Sequence, residues 1–109
     1  MRRSASYALS TWLLLSAFAL LAMAQVPVGT ITGTVTDPSG AVIRDASIIV
    51  TNKATGIERQ LKSDSDGNFV AASLPAGQYE VKTVVEGFRT LLREVTVSTG
   101  AVSRVEMTL

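Results

Sequence analysis

The sequence contains neither cysteine nor histidine. Without cysteine no disulfide can staple the chain and no thiol can serve as nucleophile or metal ligand. Without histidine the Ser-His and Cys-His pairs of nucleophilic catalysis are unavailable. Aromatic residues make up only 6% of the chain, and the one tryptophan, Trp12, stands within the first two dozen residues. Beyond residue 24 the aromatics are Phe69, Tyr79 and Phe88. Neither charge dominates. Ten basic residues stand against nine acidic ones; Arg2 and Arg3 lie at the very start, which leaves eight against nine from residue 25 onward, a net charge of −1. That balance is no footprint for nucleic acid or for an anionic membrane surface.

What is present begins with one apolar run. Arg2-Arg3 are followed by TWLLLSAFALLAMA, residues 11–24, which carries no charge and ends in Ala22-Met23-Ala24. A basic start, an apolar middle and a small-x-small end together predict a secretory signal peptide over 1–24, cleaved after Ala24. The run is shorter than the ~20 residues a membrane-spanning helix needs. The expected location is therefore exported: periplasm, outer membrane or extracellular space. Residues 25–109 remain as one domain of 85 residues, a size that buries roughly 60–65% of its unfolded surface. Small exported domains often add disulfides; here packing and strand pairing must suffice.

After residue 25 the pattern has period two. In GTITGTVT, 29–36, Ile31, Gly33 and Val35 share one face and Thr30, Thr32, Thr34 and Thr36 the other. Strict alternation with β-branched residues predicts a half-buried strand, and Gly33 within it a bulge or a close neighbour. Asp37-Pro38-Ser39-Gly40 ends it in a turn. Further strands are expected at 46–52, 57–63, 68–72, 78–85, 91–97 and 101–109, with LPAG, 74–77, as a Pro-Gly turn. Seven short strands and no helical stripe predict an all-β fold: two antiparallel sheets packed as a sandwich. The expected core is Ile31, Val35, Ile48, Val50, Leu61, Phe69, Leu74, Tyr79, Val81, Val95, Val97, Val105 and Met107. The final residue closes the final strand, as at the end of a domain.

The run with the most suggestive chemistry is SDSDGNF, 63–69. Asp64, Asp66 and Asn68 alternate as calcium ligands do. An EF-hand loop, however, needs glycine sixth and glutamate twelfth; here Gly67 is fourth and Pro75 twelfth. Asp66-Gly67 between two alternating runs instead predicts a hairpin turn of type I′. No metal site and no cofactor are expected.

Five motifs in order, ITGTVTDPSGAVI (31–43), DASIIVTN (45–52), SDSDGNF (63–69), LPAGQYEV (74–81) and EGF (86–88), resemble the carboxypeptidase regulatory-like domain. The resemblance covers 29–109 and implies a transthyretin-like (prealbumin-like) Greek-key β-sandwich, related in shape to Cna-B domains. A leader followed by QVPVGTITGTVTDPSGAVI, 25–43, is also similar to the start of TonB-dependent, Oar-like outer-membrane receptors. In those a plug and a barrel follow; here the sequence stops at Leu109, so transport is not carried over, and any membrane contact is expected only through the leader or a missing downstream barrel. Cna-B domains often cross-link a first-strand lysine to a last-strand asparagine. Neither residue stands in 29–36 or 101–109, so no isopeptide is expected. Transthyretin-related hydrolases rely on histidine, which this chain lacks.

Three function classes fit a domain of this kind. Catalysis would fall to carboxylates, but Asp37, Asp45, Asp64 and Asp66 lie at turns and Glu58, Glu80, Glu94 and Glu106 on outward strand faces, where solvation explains them. Sugar binding follows from the resemblance, whose fold is carbohydrate-binding-like. It needs an exposed aromatic, and Phe88, after Gly87 on a loop, is the one candidate contact. The third class is a structural or interaction module, with open strand edges or the threonine face as its surface. The reading taken is a non-enzymatic exported binding or spacer module of an outer-membrane receptor system, with a standalone secreted carbohydrate-binding module as the alternative. Expected partners are polypeptide or glycan at the cell envelope, not nucleic acid.

Overall fold

Alternating β-branched residues punctuated by Gly, Asp and Asn produce seven strands in the computed structural model, which describes residues 26–109. The leader 1–24, with Ala22 and Ala24, lies outside the described residues. The strands are β1 Val28–Thr36, β2 Ser47–Asn52, β3 Glu58–Lys62, β4 Asn68–Pro75, β5 Gly77–Val84, β6 Leu91–Val97 and β7 Val102–Thr108. They form a three-stranded sheet, β4-β1-β7, and a four-stranded sheet, β3-β2-β5-β6. The two sheets face each other as a transthyretin-like sandwich, with β3 beside β4 at one seam and β6 beside β7 at the other.

One pairing departs from the antiparallel expectation: β7 lies parallel to β1, from Thr30↔Val102 to Thr36↔Thr108. Parallel neighbours need a long crossover, and the five strands between them supply it. The first and last strands therefore run the same way, and Val28 and Thr108 stand at opposite poles of the sandwich.

The inward faces are those that the alternation predicts. Ile31, Val35, Ile48, Val50, Phe69, Leu74, Tyr79, Val81, Val97, Val105 and Met107 are buried. Leu61 and Val95 are only half-buried, because β3 and β6 are edge strands with one flank open to solvent. Ala46 and Ala71 join the core as small buried residues. Gly33 proves to mark a close neighbour. It is the cross-strand partner of Phe69, and a Cβ there would run into the Phe69 ring and the Val105 carbonyl. The bulge in this pairing lies on the partner strand. Gly29 faces Leu74 while Ile31 faces Ala71, so β4 holds the extra residue, and Ser73 takes φ 56° to accommodate it.

Two turn expectations are corrected. LPAG is not a loop: β4 runs through Pro75 and β5 begins at Gly77. Only Ala76 separates them, because the chain passes there from one sheet to the other. Asp66-Gly67 is not the centre of a type I′ hairpin. Such a turn needs positive φ at both central residues, whereas Gly67 has φ 76° and Asp66 is not among the positive-φ residues. The turn is Asp64 to Gly67, with Gly67 N–H donating to Asp64 O at 3.0 Å and Asp64 N–H donating to Asn68 O at 2.9 Å. This is a three-residue loop with glycine in the left-handed position. Its two arms then separate, β3 to one sheet and β4 to the other.

Candidate ligand-binding cleft

The acidic turn is built for its own backbone. Asp64 Oδ1 accepts the amides of Asp66 and Asn68, both at 2.9 Å. The same construction occurs at Asp37, whose Oδ1 accepts the amides of Ser39 at 2.9 Å and Ala41 at 3.0 Å and the Ser39 hydroxyl at 2.6 Å. That hydroxyl first, and the amides after it, hold the Asp37 carboxyl below the usual carboxylate range. In both loops glycine stands three residues after the aspartate and donates to its carbonyl. The two loops meet at one pole: Val35 N–H donates to Gly67 O at 2.8 Å, and Ile43 N–H to Val35 O at 2.9 Å. A Cβ on Gly67 would come within 2.8 Å of Val35 O. Among the described residues no three acidic side chains gather where they could share a cation.

The opposite pole holds a recess. Where β3 and β4 pass at the open seam, the sheets part around a cleft of about 220 Å³. Ile57 and Arg59 stand on one wall, Leu74 and Pro75 on the other, and Val50 and Tyr79 form the floor. The floor is rigid for a definable reason. The Tyr79 hydroxyl donates to Pro75 O at 2.6 Å and accepts from Asn52 Nδ2 at 3.2 Å. Asn52 Oδ1 in turn accepts the amides of Ala54 and Thr55, at 2.9 and 3.2 Å, which fixes the loop leading to Ile57. Arg59 reaches across the seam and donates through Nη1 to Ala72 O. A guanidinium has five donors, so Arg59 keeps others for the cleft. Ile57 is 70% exposed, an apolar side chain standing in water at the rim.

Phe88 lies far from this recess. β5 begins beside the cleft at Gly77 and ends at Val84; Phe88 follows in the next loop, its amide bonded to Val85 O at 3.1 Å. It is 41% exposed, so it neither plugs the core fully nor stands free. The threonine face of β1 is half-buried and engaged laterally: Thr34 Oγ1 donates to Asn68 Oδ1 at 2.7 Å and accepts from Arg104 Nη2 at 3.2 Å. On the outer face of the four-stranded sheet, Glu80 and Glu94 stand opposite each other. Lys53 binds Glu94 at 2.5 Å, and the bond lowers the Glu94 carboxyl and raises the Lys53 ammonium. The acids expected at turns and on outward faces are found there, dispersed. No motif in the sequence marks the cleft itself. Its only trace in the sequence is the spacing of Asn52, Ile57, Pro75 and Tyr79 around two sheet edges, which no local pattern reveals.

Solved structures share this fold. The TIE protein of Bacillus anthracis matches over 75% of this chain at 20% identity and a TM-score of 0.67, and this chain spans 16% of it. A candidate carbohydrate-binding protein of Pseudomonas aeruginosa matches over 78% of this chain and 90% of its own at 19% identity and a TM-score of 0.56. A minor pilin of Streptococcus agalactiae matches over 76% and 44% at 14% identity and a TM-score of 0.65. At such identities these likenesses show the fold. No curated protein matches the sequence. The family model that fits, over residues 30–109, is described as the carboxypeptidase regulatory-like domain. With that model covering most of the chain, the chain belongs to the carboxypeptidase regulatory-like domain family.

Proposed function

We propose that this chain is an exported, non-catalytic binding module whose β3–β4 cleft seats one sugar unit of a cell-envelope glycan. The observation that carries the reading is the mixed character of the cleft. Ile57, Leu74 and Pro75 offer apolar surface to the C–H face of a sugar ring, and Arg59 retains donors for its hydroxyl or carboxylate oxygens. Small-ligand sites combine apolar walls with a few placed polar groups in this way. The likeness to a candidate carbohydrate-binding protein of similar length supports it. Phe88, at the other pole, is the rival contact. The test is a glycan array with the full chain, followed by titration calorimetry on any glycan retained. Ile57→Asp is expected to weaken binding roughly tenfold or more, since one buried apolar contact is worth about 1–3 kcal/mol, while Phe88→Ala leaves it unchanged. If Phe88→Ala abolishes retention and Ile57→Asp does not, the ligand sits at the Phe88 pole. An empty array sinks the sugar reading.

A second reading rests on a separate observation. Because β1 and β7 are parallel, the polypeptide enters the sandwich at one pole and leaves at the other, a geometry suited to a module within a longer chain. The leading domain of a TonB-dependent, Oar-like receptor, behind a leader cleaved between Ala24 and Gln25, is the form proposed. An immunoblot of fractionated cells separates the readings. A very large outer-membrane band supports the receptor; a domain-sized band in periplasm or medium, with Gln25 as its N-terminus, supports the standalone module.

A further inference from the structure

Four strands lie at sheet edges, and an unpaired edge is a template for another chain. Three of them are blunted. β4 carries the bulge at Ser73, has its Ala72 carbonyl taken by Arg59, and ends in Pro75. β7 is fastened to β6 by Ser103 Oγ, which donates to Thr96 O at 2.8 Å. β6 places Arg93 opposite the inward Val81, a charge at an inward position. β3 has no bulge and no proline, and its one bridge to β4, from the Arg59 side chain to Ala72 O, leaves its own outward backbone groups free.

The groups that β3 presents outward can be identified. Asn52 N–H donates to Ile57 O at 2.9 Å, and Ser63 N–H donates to Ala46 O at 3.1 Å. In an antiparallel ladder the hydrogen-bonding direction alternates from residue to residue. Residues 57, 59, 61 and 63 therefore face β2, and the N–H and C=O groups of Glu58, Gln60 and Lys62 face outward.

The sequence of β3 is Glu-Arg-Gln-Leu-Lys. Laid antiparallel against itself about Gln60, it sets Glu58 opposite Lys62 of the second copy, Lys62 opposite Glu58, and Gln60 opposite Gln60. All three pairs are of the outward-facing, hydrogen-bonding kind, so about six ladder bonds could form. Neither charged residue has a partner at home. Across β2, Glu58 faces Thr51 and Lys62 faces Ser47, and the ion pairs among the described residues are Lys53–Glu94 and Arg104–Glu106. A parallel copy would set like charges near each other. Charges on an edge normally repel strangers; here they select one partner.

We propose that a second copy of this chain pairs with the free edge of β3, antiparallel about Gln60, so that the two four-stranded sheets become one continuous sheet across a two-fold axis. The inference does not rest on the glycan reading, although Glu58 also lines the cleft. It gives an isologous contact of small area, hence a weak dimer, in the micromolar-to-millimolar range on the order of other small transient interfaces.

The test is a charge swap on the full chain, followed by sedimentation equilibrium and by circular dichroism to verify the fold. The wild type is expected to show a monomer–dimer equilibrium. Glu58→Lys alone, or Lys62→Glu alone, places like charges opposite each other at two symmetric positions and should weaken dimerisation roughly tenfold or more. The double variant E58K/K62E restores opposite pairs and should restore the dimer. Because a weak dimer is hard to weigh, Gln60→Cys provides a trap. The only two thiols in the dimer would face each other with Cα atoms about 5.5 Å apart, within disulfide range, and mild oxidation should link them. Adding Glu58→Lys to Gln60→Cys should suppress the link. A wild type that neither dimerises up to about 1 mM, the weak end of the expected range, nor cross-links as Gln60→Cys overturns the proposal. So do single charge reversals that leave dimer or cross-link intact, and a double swap that fails to restore it.

Discussion

Two buried hydroxyls in the four-stranded sheet have opposite fates. Tyr79 is fully employed, donating to Pro75 O and accepting from Asn52. Thr83 is completely buried on the same face of the same strand, and its Oγ1 has no hydrogen-bond partner. Removing a satisfied buried bond strands its partner, whereas removing an orphan relieves a desolvation cost. Tyr79→Phe is therefore expected to lower stability by about 1–2 kcal/mol, and Thr83→Val, of similar shape, to raise it by about 1 kcal/mol. Urea unfolding of both variants checks the signs; a Thr83→Val that destabilises would mean the hydroxyl has a role not visible in its contacts. Ser63 shows how little of this is local. Its Oγ accepts Ala46 N–H at 2.9 Å and donates to Ile43 O at 2.7 Å, joining segments some twenty residues apart, and nothing in SDSDGNF marks it as buried.

Strands were more legible than turns. The period-two pattern placed all seven and the faces they bury, since burial on one face imposes alternation whatever the partner. It could not tell which strands share a sheet. Asp66-Gly67 therefore read as a hairpin and LPAG as a Pro-Gly turn, although each carries the chain between sheets. The bulge in β4 was also invisible, because it answers a register demand set by β1. That demand holds Ser73 at φ 56°, a conformation that costs an L-residue about 1–2 kcal/mol and a β-branched one more. Ser73→Gly is expected to change stability by less than about 0.5 kcal/mol, relief of strain offsetting the freer unfolded chain. Ser73→Val should lose about 1–2 kcal/mol. Thermal denaturation of the pair reads the difference; equal melting temperatures would show that the bulge moves elsewhere when challenged.

At the scale of the whole molecule, the titrating groups that depart from ordinary values among the described residues, Asp37, Lys53 and Glu94, are exposed. Asp37 and Glu94 have folded values lowered by their bonds. Their contribution is present above the ordinary carboxylate range and lost as pH falls through the lowered folded values. Lys53 is raised, so its contribution is present below the ordinary lysine value and lost as pH rises past it. With no histidine in the chain, nothing of that kind titrates between. The melting temperature should be flat from about pH 5 to 9 and decline below about pH 4, by a small amount that added salt reduces further. A transition near neutrality in a calorimetric pH series would contradict this. Composition and alternation alone determined the absence of disulfides and of histidine chemistry, the seven strands, the sandwich class and most of the core, because each follows from residue type and a local period. The parallel β1–β7 pair, the passage between sheets at Ala76, the bulge at Ser73, the cleft floored by Tyr79 and the open edge of β3 were decided only by tertiary structure. Each depends on which strands become neighbours, and that choice is made by packing two faces together, which no single strand encodes.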